Sequence, residues 1–191
     1  MAKVRDILSF WIDEVGPAGW YAGGEELDAT VRERFSDDWT RAREGQCELC
    51  LTTPDAALAY CILTDQFPRN MFRDDPRAFS SDKQARACAK KAISRNWDMS
   101  VPEPQRQFLY MPLVHSENLI DQDRAIRLFM TRMPEGRDHM LLHARAHRSI
   151  IRKFGRFPTR NAALGRAMTD AEAAWIDGGG YGSEVRTLEA A

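Results

Sequence analysis

Apolar residues recur at helical spacing along most of the chain. Two stripes have the spacing of one helix face, the first formed by Val4, Ile7, Leu8 and Trp11 and the second by Leu27, Val31, Phe35 and Trp39. No segment alternates apolar and polar residues for long, which leaves little support for strands. The pattern therefore predicts a chain built from amphipathic helices.

Capping residues predict where several helices begin. Thr53 before Pro54 is typical of an N-cap followed by a proline in the first turn, and it predicts a helix that runs through Gln66. Two capping boxes of the form S/T-x-x-E/Q are formed by Ser81 with Gln84 and by Thr169 with Glu172. Further helices are predicted over residues 103–118, 121–133 and 137–154, and Pro112 is expected to kink the first of them.

The number of predicted helices indicates the fold class. Seven or more helices with short connections predict an all-α fold in a single domain over residues 1–177. Stacked helical hairpins in a TPR-like array and an irregular bundle both fit this pattern, although no TPR consensus repeats along the chain. The glycines at 178–180 predict that residues 178–191 form a flexible tail.

Composition narrows the class of protein. The chain has 191 residues, with 27 Lys and Arg against 28 Asp and Glu and 43% hydrophobic residues, which argues against a disordered chain, a collagen or a membrane protein. Residues 1–11 lack the apolar stretch of a secretory signal, so we expect a cytoplasmic location. The cysteines are then expected to be reduced, and the pair Cys47 and Cys50 is more simply incidental than part of a zinc or redox site.

Two similar turns come after predicted helices. The first is Phe67-Pro68-Arg69-Asn70 and the second is Phe157-Pro158-Thr159-Arg160-Asn161. A mechanical role explains most of each turn, since the phenylalanine packs, the proline stops the helix and the asparagine caps the next helical turn. The arginines are different, because a turn needs no guanidinium, whereas a carboxylate or phosphate matches its donors. Asp65 and Gln66 precede the first turn, where Asp65 either locks an arginine in a salt bridge or orients it toward a ligand.

The C-terminal third of the chain is locally basic. Residues 139–169 contain no Asp or Glu but have seven basic residues, Arg145, Arg148, Arg152, Lys153, Arg156, Arg160 and Arg166. On a helical wheel the first four share one face of a helix, which is most simply a solvated surface. The last three lie beyond that helix and are the better candidates for binding a ligand. The stretch lacks interleaved exposed aromatic residues, which argues against RNA binding.

Histidines offer a second kind of chemistry. His143 and His147 lie one turn apart on the apolar face of the predicted helix, a spacing that can chelate a metal ion but more often belongs to hydrogen-bonded core residues. His115-Ser116-Glu117 places an imidazole near a carboxylate just after Pro112. Because a His and Glu pair can transfer protons, His115, Glu117 and His147 are the candidate catalytic residues. No metal or cofactor is predicted.

Several blocks of the sequence resemble one family, in the same order. They cover residues 7–11, 63–70, 110–117, 154–161 and 164–166. The chain resembles the bacterial domain of unknown function 924 from about residue 4 to residue 176. This resemblance implies an all-α, TPR-like fold, an irregular right-handed superhelix of stacked helical hairpins, and it supplies no activity. The polar positions that match are Asp65, Gln66, Arg69, Asn70, His115, Ser116, Glu117, Gln122, His147, Arg156, Arg160, Asn161 and Arg166, while Thr159 stands where a histidine is common.

Three functions are consistent with these residues. In the leading hypothesis both turns, His115, Glu117 and His147 form one polar pocket that binds a small anionic molecule or the anionic end of a peptide. Its ligand-binding residues are Asp65, Gln66, Arg69, Asn70, Ser116, Arg156, Arg160, Asn161 and Arg166. The second is a hydrolase or transferase in which a histidine acts as general base with Glu117. The third is a protein-interaction scaffold whose polar groups satisfy one another. Neither a membrane nor a nucleic acid is an expected partner, and the oligomeric state is left open.

Overall fold

Helices form all of the regular structure in residues 4–46 and 52–190, which are the residues that the computed structural model describes. These ranges contain no strand, and the all-α prediction is confirmed. By its internal contacts the chain divides into two compact units, Met1–Pro112 and Leu113–Ala191, and each is described by itself. The single domain predicted over residues 1–177 stays a prediction. No helix in the described ranges is both long enough and apolar enough to cross a membrane.

The first unit is a series of short and medium helices. Its α-helices are α1 (Val4–Leu8), α2 (Gly16–Gly19), α3 (Glu25–Arg43), α4 (Pro54–Cys61), α5 (Phe67–Met71) and α6 (Asp82–Ser94). π-helical segments, Ser9–Val15 and Ile62–Gln66, come directly after α1 and α4. One-turn 3₁₀ helices cover Pro76–Phe79, Trp97–Ser100 and Gln105–Leu109.

Aromatic rings form the centre of the first unit's core. The Phe67 ring lies with its centroid 5.5 Å from that of Trp11 and 4.7 Å from that of Phe35, and all three side chains are buried. Trp11 and Phe35 come from the two apolar stripes, so each stripe faces the core, as helical spacing predicts. Phe67 therefore has the packing role that is expected of the first residue of its turn.

Two helix starts in this unit show which local signals decide the structure. The Thr53 hydroxyl accepts a hydrogen bond from the Ala56 amide at 3.1 Å, so the predicted N-cap is confirmed. The predicted capping box at Ser81 is wrong, because its hydroxyl makes no cap hydrogen bond to α6. Ser81 instead donates to the Thr64 carbonyl at 2.6 Å and accepts from the Trp39 indole at 2.9 Å. The Ser81 hydroxyl thus bonds to residues distant in sequence and not to the first amides of α6.

The helix predicted over residues 103–118 is also wrong. This segment is the 3₁₀ helix Gln105–Leu109 followed by the single α-helical turn α7 (Met111–Val114), so Pro112 kinks no continuous helix. Proline has no amide hydrogen to donate, and the first turn of a helix tolerates this loss. Pro112 accordingly lies in the first turn of α7, whose Met111–Pro112 half belongs to the first unit.

The second unit begins within α7 and contains two long helices. They are α8 (Leu119–Arg132) and α9 (Arg137–Phe154), and they pack against each other as a hairpin with a four-residue connection. The boundaries of α9 agree with the prediction. A 3₁₀ turn at Pro158–Arg160 and then α10 (Asp170–Asp177) come next. At the start of α10 the capping box of Thr169 and Glu172 is complete, as predicted.

The predicted flexible tail contains an ordered element instead. Residues Gly180–Glu189 form α11, which packs on α9. Gly179 and Gly180 have φ angles of 96° and 51°, a left-handed conformation that glycine adopts readily, so these glycines turn the chain into α11. Tyr181 then packs against the buried cluster of Ile150, Ile151 and Phe157. The glycines at 178–180 predicted a flexible tail because the sequence alone does not show that Tyr181 packs on this cluster.

Replacing Gly155 with alanine is expected to destabilise the second unit. Gly155 ends α9 with a φ of 72°, and an added Cβ would meet no atom within 4 Å, so the cost comes from the left-handed backbone alone. We expect the free energy of unfolding in urea to fall by about 1 to 2 kcal/mol. Gly182→Ala is the matched control, because Gly182 lies inside α11 without a positive φ, and this change is expected to cause no loss. Equal losses in both variants would contradict the argument.

Candidate functional site

In the first unit, Arg69 is bound by two carboxylates. Its Nη1 lies 3.3 Å from Oδ1 of the buried Asp65, and its Nη2 donates to both carboxylate oxygens of Asp82 at 3.0 and 3.2 Å. Burial would lower the pKa of Arg69, but the charges of Asp65 and Asp82 raise it overall. The predicted salt bridge between Asp65 and an arginine is therefore present, and the orientation of that arginine toward a ligand stays a prediction.

The neighbours of Arg69 are engaged in the same way. Gln66 donates to the Asp65 carboxylate, and Asn70 donates to Asp28 Oδ1 on α3 at 3.0 Å. The Arg73 guanidinium pairs with the same Asp28 carboxylate, with Nη2 at 2.8 Å from Oδ1. The F-P-R-N segment lies within α5, so Pro68 does not stop the helix there, and its polar side chains pair with acids of α3 and α6.

In the second unit, Glu117 accepts three hydrogen bonds from two groups. Arg166 makes a two-point contact with it, Nη1 to Oε2 at 2.8 Å and Nη2 to Oε1 at 3.0 Å, and the Phe157 amide donates to Oε1 at 2.8 Å. Burial alone would raise the pKa of Glu117, but the hydrogen bonds from Arg166 and Phe157 lower it. Arg166 also donates through Nε to Asn161 Oδ1 at 2.9 Å, so the predicted cap residue Asn161 orients this arginine.

Arg156 also forms an ion pair with a carboxylate. Its Nε and Nη2 donate to the two carboxylate oxygens of Glu172, at 2.6 and 2.8 Å. This pairing, with the Thr169 backbone hydrogen bond, holds the pKa of Glu172 far below its usual range. Glu172 is also the acidic member of the capping box that starts α10. Arg156 therefore fastens the chain beyond α9 to the beginning of α10.

His115, Arg160 and His147 lie together in the second unit. Arg160 Nη2 donates to the His115 carbonyl at 2.9 Å, and the guanidinium lies 4.7 Å above the Phe157 ring centre. The His115 and His147 ring centroids are 6.1 Å apart. Ser116 is buried, and its hydroxyl donates to Asp121 Oδ2 at 2.9 Å. The structure thus brings together one part of the predicted pocket.

The protonation state of His147 bears on the hypothesis of acid–base catalysis. Its Nδ1 lies 2.8 Å from the His143 carbonyl, which only accepts, so Nδ1 carries the proton and Nε2 carries the lone pair. Burial, and then the charge of His115, lower the pKa of His147 to about 3. A base this weak transfers protons poorly at neutral pH, and Glu117 stays ionised in its ion pair. Catalysis by His115, Glu117 and His147 stays a prediction that these contacts do not favour.

The predicted residues fall into two groups, one in each compact unit. Asp65, Gln66, Arg69 and Asn70 belong to the first unit, and His115, Ser116, Glu117, His147, Arg156, Arg160, Asn161 and Arg166 belong to the second. A single pocket formed by both groups stays a prediction. Within each unit, ion pairs to carboxylates occupy Arg69, Arg156 and Arg166.

A groove in the second unit was not predicted from the sequence. It has a volume of about 820 Å³ and is lined by Asp123, Ile126 and Arg127 of α8, Arg145, Arg148, Ser149, Arg152 and Lys153 of α9, and Leu188 of α11. Five basic side chains thus face one acid, and Asp123 is paired with Arg148. Among the described residues, no carboxylate pairs with Arg127, Arg145 or Arg152. The face that the sequence predicted to be plain solvated surface is one wall of this basic groove.

The described cysteines, Cys61 and Cys88, form no metal centre with other described residues. Cys47 and Cys50 lie outside the described residues, and the thiols of Cys61 and Cys88 are buried and not in disulfides. Across residues 4–46 and 52–190, no group of three or more His, Cys, Asp or Glu side chains is arranged to hold a metal ion. The chelate considered for His143 and His147 does not form either, because His143 turns its ring nitrogens to Tyr181 and His139.

Comparison with known proteins agrees with the blocks of sequence noted above. A family model described as a bacterial protein of unknown function, DUF924, matches residues 7–180. This chain belongs to the DUF924 family. A solved structure of a protein of unknown function from Agrobacterium tumefaciens is 36% identical to this DUF924 chain, with a TM-score of 0.84 over 91% of this chain and 96% of that one. No curated protein matches the chain.

Removing the charge of Glu117 in this DUF924 protein is expected to lower stability in a pH-dependent way. Glu117→Gln loses the two-point pairing with Arg166, and we expect about 1.5 to 3 kcal/mol less free energy of unfolding at pH 7. Because the folded-state pKa of Glu117 is lowered, this difference is complete above the unfolded-state value of about 4.3 and disappears as the pH falls through the folded value. Urea denaturation at several pH values measures it.

The exposed pair of Arg34 and Glu14 supplies the control for this prediction. Both side chains are more than one-third exposed, so Glu14→Gln is expected to change the free energy of unfolding little at any pH. A Glu117→Gln effect as small as that of Glu14→Gln, or one that persists unchanged at low pH, would contradict the role given to the ion pair.

Proposed function

We propose that this DUF924 protein binds a small, multiply charged anion, and that the basic groove of the second unit holds it. The observation that carries the proposal is the charge of the groove. Arg127, Arg145 and Arg152 line it without a carboxylate partner among the described residues. In the two turn motifs, by contrast, Arg69 pairs with an acid and Arg160 donates to a backbone carbonyl. An anion entering the groove gains charge-assisted hydrogen bonds without breaking an internal ion pair of these three side chains.

The chemistry of the groove favours phosphoryl groups over a single carboxylate. A carboxylate carries one negative charge, whereas the lining carries five basic side chains against one acid. Guanidinium groups match phosphate oxygens with two parallel donors, and several phosphoryl groups would use several arginines at once. The groove volume of about 820 Å³ is within the range of small-molecule sites. We therefore favour a small oligophosphate or a phosphorylated metabolite.

The groove lining argues against a nucleic acid and against an apolar protein partner. It contains no aromatic side chain on which an unpaired base could stack, and its apolar members are Ile126 and Leu188. The turn motifs then serve the fold, as the scaffold hypothesis expected of polar groups that satisfy one another. The TPR-like stacking remains part of this proposal, since paired helices such as α8 and α9 are the unit of such arrays.

The proposal is tested by titrating the full chain with pyrophosphate and tripolyphosphate in a calorimeter. Arg145→Gln and Arg152→Gln are each expected to weaken binding about tenfold or more, because each removes charge-assisted hydrogen bonds. Added sodium chloride is expected to weaken binding further by screening. Both side chains are exposed, so the substitutions are expected to leave the melting temperature of the unliganded protein unchanged.

Two control variants separate the groove from other sources of binding. Arg41→Gln removes the same charge from an exposed position on α3, and Arg156→Gln removes an arginine of the second unit that lies outside the groove. Both variants are expected to keep the affinity of the parent chain. Arg156→Gln is also expected to lower the melting temperature, because it leaves Glu172 without its partner. Equal affinity in the groove variants and the parent, or loss of binding only in Arg156→Gln, would overturn the proposal.

A further inference from the structure

Two histidines near the beginning of α9 turn the same ring atom toward each other. His139 lies in the first turn and is exposed, and His143 lies one turn later and is partly buried. Their Nε2 atoms are 3.2 Å apart, and their ring centroids are 4.5 Å apart. The pair is separate from the basic groove, whose α9 wall begins at Arg145.

The separation of the two Nε2 atoms suits a shared metal ion. Imidazole nitrogens bind zinc at about 2.0 to 2.1 Å, so two of them 3.2 Å apart make an angle of about 100° at an ion between them. That angle lies between the values for octahedral and tetrahedral coordination.

We propose that His139 and His143 bind one divalent transition-metal ion of the class that prefers imidazole, namely nickel, copper or zinc. With two protein ligands, solvent would occupy the remaining positions, consistent with the lack of a larger group of ligands among the described residues. The site would therefore be open and accessible from the surface at His139.

Tyr181 on α11 supports His143 from its other ring nitrogen. The phenol oxygen lies 2.6 Å from His143 Nδ1, and the planes of the two rings are nearly parallel, with an interplanar angle of 14°. When Nε2 binds a metal ion, Nδ1 carries the proton and donates it to the phenol oxygen. Ligating histidines usually donate this second N–H to a hydrogen-bond acceptor that fixes the ring orientation, and the phenol oxygen of Tyr181 is an acceptor in that position.

The surrounding charges are compatible with a cation. Burial, and then the charge of His139, lower the pKa of His143. The charge of Glu189 on α11 acts on the pKa of His143 in the opposite direction. A direct hydrogen bond between the two imidazoles would give the same 3.2 Å separation without a metal, and the experiment must distinguish the two.

The test is a titration of the full chain, without a histidine tag, with nickel ions in a calorimeter. His139→Gln removes one ligand at an exposed position, and we expect it to weaken nickel binding at least tenfold while the melting temperature without metal stays unchanged. Arg145→Gln on the same helix is the matched control and is expected to bind nickel like the parent. Conversely, His139→Gln is expected to bind pyrophosphate like the parent, so failure of this inference is separable from failure of the groove.

Two outcomes would overturn the inference. If the parent binds no nickel, the contact is an imidazole hydrogen bond alone. If the parent and His139→Gln bind nickel equally well, other ligands such as the thiols hold the ion.

Tyr181→Phe tests the supporting contact, because loss of the phenol oxygen is expected to weaken nickel binding about tenfold with both ligands still present. Unchanged affinity in that variant would contradict the positioning role of Tyr181.

Discussion

Carboxylates buried at the ends of helices require a cation, and this requirement determines the role of the polar motifs. Asp65 is fully buried and Glu172 nearly so, and each has an arginine partner within hydrogen-bonding distance or close to it. A buried charge is tolerated only when it is paired, and removal of the partner is strongly destabilising. An arginine held in this way binds an external anion only by leaving a carboxylate unpaired. The arginines that stand out in the sequence are therefore poor candidates for the ligand site, and basic residues without acidic partners are better ones.

The sequence predicted those parts of the fold that neighbouring residues decide. The boundaries of α9, the Thr53 cap and the capping box of Thr169 and Glu172 all depend on contacts within one helical turn. Prediction failed where distant residues compete. Ser81 has the same pattern as a cap, but Thr64 and Trp39 take its hydroxyl. The glycine-rich segment likewise leads into a helix whose Tyr181 packs on a buried cluster. The residues of that cluster are distant in sequence, so the residues around Tyr181 do not predict this contact.

The candidate site was predictable only in part for the same reason. A helical wheel shows that Arg145, Arg148 and Arg152 share a face, but a single helix does not reveal whether that face is open surface or the wall of a groove. The answer depends on α8, which contributes Arg127 and Asp123 on the facing side. One signal was present, since residues 139–169 contain no acid that could neutralise this face from within its own segment. The pairing of Asp65 with Arg69 was among the predicted alternatives because it lies within one helical turn.

The two proposals depend on different parts of the chain, although they share one helix. The groove takes its charge from α8 and α9, which lie inside the residues matched by the DUF924 model, and α11 adds only Leu188 to its edge. The histidine pair instead relies on Tyr181, which lies beyond residue 180, where the match ends. The family match therefore covers the charged walls of the groove but not the support of the metal ligands. Evidence from relatives thus bears on the groove first, whereas the histidine pair must be judged on this chain's own α11.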